Sequence, residues 1–168
     1  MADYCTPTVV QQPLPLADMT ALEKLVLEAV FETEELGTEE SGLELYCFAP
    51  ENVNDFPSLD AGELRDALER SAATPSRLHD LIKPQADRIA ADQSGFDLDL
   101  SAEGVEFILQ DILRRSKTLT HISVTAAFTC SKMLPDGFGG MATLITADEI
   151  IGESTNGLLE KWLADAFP

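Results

Sequence analysis

The chain has 168 residues, of which 45% are hydrophobic and 24% charged, and its 30 acidic residues against 11 lysines and arginines give a formal net charge of −19. This apolar content excludes a disordered acidic tail, and the length suits one well-buried core. The negative charge repels phosphate backbones and anionic lipid surfaces, so we expect neither direct nucleic-acid binding nor peripheral membrane binding.

The charge is unevenly placed along the chain. From Met1 to Glu63, fourteen acidic residues accompany a single base, Lys24, which leaves a net charge of −13 on the first 63 residues. A field of this sign favours a basic protein as the partner, or serves solubility alone.

The cysteines and the first residues indicate the compartment. Cys5, Cys47 and Cys130 lie far apart and match neither a disulfide framework nor a zinc site. The N-terminal residues contain no basic segment followed by an apolar one, as a secretion signal would. We therefore expect a cytoplasmic protein with reduced thiols and with no metal or cofactor.

In chain order, residues 1–17 are predicted to form an extended lead-in in which Val9 and Val10 add an edge strand, followed by a single domain over residues 18–168. Thr20 and Glu23 form a capping box at the start of an amphipathic helix. Glutamates at positions 32, 34 and 35 are expected at its fraying end, before a loop over residues 37–42. Leu43 to Ala49 alternates as a strand does, with Tyr46 and Phe48 on its second face.

Three helix starts follow in the middle of the chain, at Ser58, at Thr74-Pro75 and at Ser101, with a kink or restart at Pro84 and a short strand over residues 96–100. His121 to Cys130 alternates and carries the clearest strand pattern, and Met141 to Thr146 returns beside it as a hairpin. Thr146 and Glu149 resemble a second capping box for a short helical turn. Ser154 caps a last helix with an apolar stripe expected to face inward: Leu158, Leu159, Trp162, Leu163 and Ala166.

This order of elements predicts the fold class. Helices and strands alternate too irregularly for a doubly wound parallel sheet. We expect a single α+β domain in which a mainly antiparallel sheet of three to five strands carries helices on one face.

The loop between the two hairpin strands is the first candidate site. It combines a thiol, an amine and a carboxylate with a glycine cluster: Cys130, Lys132, Asp136, Gly137, Gly139 and Gly140. The glycines lead into a strand rather than a helix, unlike a phosphate-binding loop. A hairpin turn is therefore the competing interpretation. Cys130 as a nucleophile lacks a base on its own face, because His121 lies an odd number of residues away on the same strand. His79, on a separate helix, is the other histidine that could serve, but a core cysteine on the apolar face is the favoured interpretation.

A second candidate is an acidic docking surface formed by Glu34, Glu35, Glu39 and Glu40. Such a charge run is usually a solvated loop. No histidine accompanies these carboxylates, which disfavours metal binding, so docking of a basic protein is the functional interpretation that stays open. The polar strand face Ser123, Thr125 and Thr129, with Tyr46 and Phe48 nearby, either lines a cleft or forms the solvent side of the sheet.

The segment from Ser116 to Met141, with the runs Ala126-Ala127-Phe128-Thr129-Cys130-Ser131-Lys132-Met133 and Pro135-Asp136-Gly137-Phe138-Gly139-Gly140-Met141, resembles a block in a family of small proteobacterial proteins found on plasmids and other mobile regions. The resemblance implies a bacterial, cytoplasmic setting and an accessory role. It assigns no activity and no functional residue.

Three hypotheses follow. The first is a non-catalytic protein that binds another protein, motivated by the acidic N-terminal third. The second is a DNA mimic that inhibits a nucleic-acid-binding protein. The third is a small-ligand binder or enzyme that uses the Cys130–Gly140 loop. A homodimer through the edge of the sheet remains open.

Overall fold

In a computed structural model of the chain, described over residues 3–38, 40–90, 93–132 and 137–167, the elements follow the expected α+β pattern. The helices are α1 (Ala21–Val30), α2 (Ala61–Ser71), α3 (Arg77–Ala86), α4 (Glu106–Arg115) and α5 (Thr155–Ala166). The strands are β1 (Tyr4–Cys5), β2 (Thr8–Val10), β3 (Leu14–Pro15), β4 (Glu32–Thr38), β5 (Gly42–Ala49), β6 (Ser58–Asp60), β7 (Gly95–Asp97), β8 (Ile122–Cys130), β9 (Gly139–Ile145) and β10 (Ile150–Ser154).

One antiparallel sheet contains eight of these strands, more than the three to five expected. Its order is β10-β9-β8-β2-β5-β3, with β1 also paired to β8 and β4 also paired to β5. The strands β6 and β7 pair separately. The fold class is thus confirmed as a single α+β domain, and the expected number of strands was too low.

Only one face of the sheet contributes to the hydrophobic core. Because directly paired residues of antiparallel strands share a face, the registers place Leu45, Cys47 and Val124 on the same side as Val10 and Ile145. All five are buried, and they join one cluster with apolar residues of α1, α2, α3 and α4. We call the opposite side the open face.

The N-terminal lead-in is built into the sheet. Val9 lies opposite Phe48 on one side and Thr125 on the other, so β2 is an interior strand. The expectation of an edge strand at Val9–Val10 was wrong. Both neighbours of this short strand come from distant parts of the chain, which its own sequence does not reveal.

The helix boundaries agree in part with the sequence. Thr20 and Glu23 form the expected capping box of α1, and Ser154 caps α5. The sequence predicted helix N-caps at Ser58, Thr74 and Ser101. In the structure Asp60 caps α2 and Ser76 caps α3 instead. Helix α4 follows Val105, whose side chain makes no capping hydrogen bond. Helix α3 continues through Pro84 without ending there.

Two strands stand where the sequence predicts other structure. Residues 32–38 form β4, which pairs along its whole length with β5, rather than a fraying helix end and loop. Residues 150–154 form β10. The Thr146 hydroxyl accepts from the Glu149 amide, as in the expected capping box, but this bond closes a turn between β9 and β10 instead of starting a helix.

Candidate functional site

The β4–β5 hairpin places acidic and aromatic side chains together on the open face. Its register sets Glu32 opposite Phe48, Glu34 opposite Tyr46 and Leu36 opposite Glu44. Gly37 and Gly42 close the hairpin with φ of 89° and 91°, in the left-handed region that other residues avoid. We call Glu32, Glu34, Glu44, Tyr46 and Phe48 the acidic–aromatic face.

The two rings of this face lie close together. The ring centroids of Tyr46 and Phe48 are 5.5 Å apart with an interplanar angle of 30°. Both side chains are half-buried, while Glu32 and Glu34 are exposed. Directly opposed side chains on neighbouring strands have Cβ atoms about 4.5–5.5 Å apart, so each ring lies beside a carboxylate.

The carboxylates of this face make no ion pair within the described residues. The cation closest in sequence, Lys24 on α1, instead pairs with Glu35 at 2.5 Å and with Glu28 at 3.6 Å. The hydrogen bond with Glu35 is the main cause that raises the pKa of Lys24. Glu32, Glu34 and Glu44 therefore keep their negative charge available to a partner.

The acidic docking surface expected from the sequence is divided between the two sides of the sheet. Glu34 lies on the open face, whereas Glu35 lies opposite Leu45 on the helix side. Glu40 lies in the turn between β4 and β5, and Glu39 lies outside the described residues. The sequence missed Glu32 and Glu44 as neighbours of Glu34, because their shared face depends on β4 being a strand.

The polar part of the open face is bonded within the chain. Ser123 donates its amide to Gln12 Oε1 at 2.7 Å and accepts from Gln12 Nε2 at 3.0 Å. The Thr129 hydroxyl donates to the Cys5 carbonyl at 3.2 Å. These side chains lie on the same face as Tyr46 and Phe48, with Val9 between the two groups. They form a sheet surface whose polar groups already have partners.

The glycine loop is only partly described, and its described residues serve packing. Cys130 is buried at the end of β8, and Lys132 is exposed in a bend. Asp136 lies outside the described residues. Gly137 is buried, and Gly139 and Gly140 begin β9.

The two strand glycines allow the start of α5 to approach β9. A Cβ on Gly139 would lie 2.9 Å from Thr155 Oγ1, and one on Gly140 would lie 3.1 Å from the Ala126 carbonyl oxygen. The Gly140 amide donates to Thr155 Oγ1 at 3.1 Å. Neither glycine has a positive φ, so close packing, rather than a turn conformation, explains them.

The structure does not bring a base to Cys130 from its own strand. His121 precedes the other end of β8, nine residues away, which corresponds to roughly 30 Å along an extended chain. Cys130 is 6% exposed on the core side. It packs like a small apolar residue at this position.

An open groove with a volume of about 640 Å³ lies between α1 and α2. Four of its charged lining side chains form ion pairs: Lys24 with Glu28 at 3.6 Å, and Arg70 with Asp66 at 3.2 Å. Among the described residues, Glu63 is the remaining charged side chain of the lining, and no aromatic ring lines the groove, unlike the acidic–aromatic face with its three carboxylates and two rings.

No protein-family model, no curated protein and no solved structure matches this chain. Within the described ranges, no group of three or more His, Cys, Asp or Glu side chains is arranged to hold a metal ion. None of the helices in that part of the chain is long and apolar enough to cross a membrane.

Proposed function

We propose that this chain is a non-catalytic binding protein whose acidic–aromatic face docks an arginine- or lysine-bearing segment of a basic protein. The observation that carries the proposal is the pairing of Glu32 with Phe48 and of Glu34 with Tyr46 across two strands. A cation placed there meets a carboxylate and an aromatic ring at once. Arginine suits this environment best, because its planar guanidinium stacks on rings while it hydrogen-bonds to carboxylates.

The expected affinity is moderate. An exposed ion pair contributes about 0.2–1 kcal/mol and an exposed cation–π contact about 0.5–1 kcal/mol. Several such contacts together must also offset the cost of ordering the bound segment. A single short segment should therefore bind with a Kd in roughly the micromolar to millimolar range. Each 1.4 kcal/mol of binding free energy changes this Kd tenfold.

Long-range electrostatics supports the same partner. The first 63 residues carry a net charge of −13, and both strands of the hairpin belong to this part of the chain. A field of one sign raises the association rate of an oppositely charged partner and repels nucleic acid.

A DNA mimic is supported less well by this geometry. Such a protein needs a long row of exposed carboxylates, but after Glu32 and Glu34 the next positions on the same face of β4 are Leu36 and Thr38. Elsewhere in the N-terminal third, Glu23 is fully buried and Asp60 caps α2. A basic protein segment needs only the local cluster.

We place this function in the cytoplasm of a bacterium. The three cysteines are free, which supports a reducing compartment. The resemblance of residues 116–141 to plasmid-associated proteobacterial proteins supports the bacterial setting and an accessory role.

The test is a titration with a short peptide that alternates arginine and glycine, followed by fluorescence anisotropy. The Tyr46→Leu/Phe48→Leu variant keeps apolar bulk and removes both ring faces, and it should weaken binding about 5- to 30-fold. Phe56→Leu is the matched control, because Phe56 is 63% exposed and lies in the loop between β5 and β6, outside the β4–β5 hairpin. Equal affinities for all three proteins would contradict the proposal, and circular dichroism confirms that each variant is folded.

A further inference from the structure

The exposed apolar side chains of this chain are concentrated at its C-terminal end. Thirteen large hydrophobic residues are exposed among the described residues, and ten of them lie between Phe138 and Phe167. The densest part, which we call the C-terminal apolar surface, belongs to β10 and α5: Ile150, Ile151, Leu158, Leu159, Trp162 and Leu163.

Helix α5 has an apolar stripe that nothing in the described chain covers. Residues at positions 158, 159, 162, 163 and 166 fall on one side of a helix, as the sequence predicts. The expectation that this stripe faces inward was wrong, because no residue of α5 is buried. Trp162 is 61% exposed and Leu163 is 58% exposed.

Strand β10 is an edge strand without the usual protection. Within the described residues it pairs with β9 alone, and its only charged side chain, Glu153, is paired with Lys161. It contains neither lysine nor proline, which commonly protect a sheet edge. The opposite edge, β4, carries Glu32, Glu34 and Glu35. Each face of β10 presents an exposed isoleucine, since Ile150 and Ile151 point to opposite sides of the sheet.

The exposed area is at the upper end of the range for one apolar patch on a monomer and approaches that of a standard interface. The exposed fractions of the six side chains that define this surface add up to about three complete large residues, or on the order of 600 Å² at roughly 150–250 Å² each. The largest apolar patch on a typical monomer is about 300–600 Å², and a standard interface buries about 800 Å² on each partner.

We propose that a second copy of this chain covers the C-terminal apolar surface, forming a two-fold dimer through β10 and α5. Antiparallel pairing of β10 with its own copy continues an all-antiparallel sheet, and such a contact is self-complementary about a two-fold axis. This pairing places Ser154 of one chain opposite the Ile150 end of β10 in the other chain. Helix α5 begins directly after Ser154, so its apolar stripe reaches the hairpin of the second copy.

The charge distribution favours a second copy over a basic partner at this surface. The one charged residue of β10, Glu153, is paired with Lys161 of α5. The other two charged residues of α5, Glu160 and Asp165, fall outside its apolar stripe. The acidic excess of the chain lies mainly in the first 63 residues. Two copies can thus meet here while most of their like charge stays outside the contact. A basic partner would gain less here than at the acidic–aromatic face, whose three carboxylates make no ion pair within the described residues.

The test combines sedimentation over a range of protein concentrations with the fluorescence of Trp162, the one tryptophan of the chain. The wild-type protein should sediment as a dimer with blue-shifted Trp162 emission. Leu163→Glu on α5 and Ile151→Glu on β10 should each weaken dimerisation at least 100-fold. Both variants retain Trp162, and its emission should shift to the red in Leu163→Glu.

Phe56→Glu is the matched control, since it places the same charge at a similarly exposed apolar site that belongs to neither β10 nor α5. This variant should remain a dimer. A wild-type protein that stays monomeric with red-shifted emission would overturn the proposal, as would a dimer that both Leu163→Glu and Ile151→Glu leave intact. Unchanged far-UV circular dichroism shows that the monomers remain folded.

Discussion

Glu34 and Tyr46 lie directly opposite each other on neighbouring strands, on the face of the sheet that does not contribute to the core. The carboxylate has no ion-pair partner in the described part of the chain, and the ring lies 5.5 Å from that of Phe48. A negative charge beside an aromatic face favours a positively charged side chain from another molecule. The next residue in the chain, Glu35, is already paired with Lys24.

This contrast between adjacent glutamates gives a controlled prediction. Glu34→Gln and Glu35→Gln remove the same charge from adjacent positions, but on opposite sides of the sheet. Glu34→Gln should weaken binding of the arginine–glycine peptide about 3- to 5-fold, the value of one exposed ion pair of up to about 1 kcal/mol. Glu35→Gln should change binding less than 2-fold. Anisotropy titrations of both variants measure the difference, and equal losses would show that only total charge matters.

Salt should act in opposite directions on the two proposed associations. Binding of the basic peptide should weaken on the order of tenfold between 0.05 and 0.5 M salt, since the Debye length shortens and exposed charges are screened. Dimerisation through the C-terminal apolar surface should strengthen over the same range, because salt screens the repulsion between two chains of charge −19. Anisotropy and sedimentation follow the two associations separately. If peptide binding were insensitive to salt, the electrostatic account would fail.

A buried ion pair joins α1 to the end of α4. Arg115 Nη2 donates to Glu23 Oε2, and Arg115 Nε donates to the Asp18 carbonyl at 3.1 Å. The Glu23 side chain is 0% exposed and that of Arg115 is 24% exposed. Glu23 Oε1 is buried with no hydrogen-bond partner within the described residues.

The unequal burial predicts unequal mutational costs. Arg115→Leu leaves the Glu23 carboxylate buried without its counter-charge and should lower the free energy of unfolding by about 3–5 kcal/mol. Glu23→Leu leaves a partly exposed arginine and also removes the capping-box bond from the Thr20 amide, worth about 0.5–2 kcal/mol, so it should still cost less than Arg115→Leu. The double variant should recover part of the loss, because an apolar pair replaces the buried ion pair while the Thr20 amide stays without its partner. Urea unfolding of the four proteins measures these values, and additive losses would exclude coupling between the two residues.

The three cysteines should differ sharply in reactivity. Burial, together with the charge of Glu28, raises the pKa of the Cys47 thiol to about 12. Cys130 is also buried, whereas Cys5 is half-buried on β1. At pH 8 a thiol reagent should therefore label one residue, Cys5, quickly and the other two only on unfolding. A fast phase that persists in Cys5→Ser would contradict this assignment.

The same pKa gives a sign for the pH dependence of stability. A free cysteine has a pKa of about 8.5, so above that pH the unfolded chain loses the Cys47 proton while the folded chain keeps it up to about pH 12. The folded state then binds more protons, and stability falls as pH rises through this window. Cys47→Ala should reduce the decline that urea unfolding measures above pH 9.

The sequence predicted those elements whose stabilising contacts are local. The capping box of Thr20 and Glu23 and the alternation of residues 122–130 both appear in the structure as expected. Strand β4 was missed because glutamates are poor strand formers, and only its pairing with β5 makes it a strand. Strand β10 was missed because the Thr146–Glu149 hydrogen bond fits either a helix start or a turn.

The candidate sites were predictable only in part, for the same reason. Glu34, Tyr46 and Phe48 drew attention from the sequence, but their common face follows from the β4–β5 register. The apolar stripe of α5 was identified from the periodicity of the sequence. Periodicity shows that one face of a helix is apolar, but it does not show whether that face packs against its own chain or against another. Long-range pairing therefore decided both surfaces.

The most direct test of the binding proposal is a backbone amide NMR titration of the protein with the arginine–glycine peptide. The account predicts saturable shifts centred on β4 and β5, with the largest at Glu32, Glu34, Tyr46 and Phe48, and little change in the groove between α1 and α2. Shifts centred on that groove, or no saturable shifts at low salt, would contradict it.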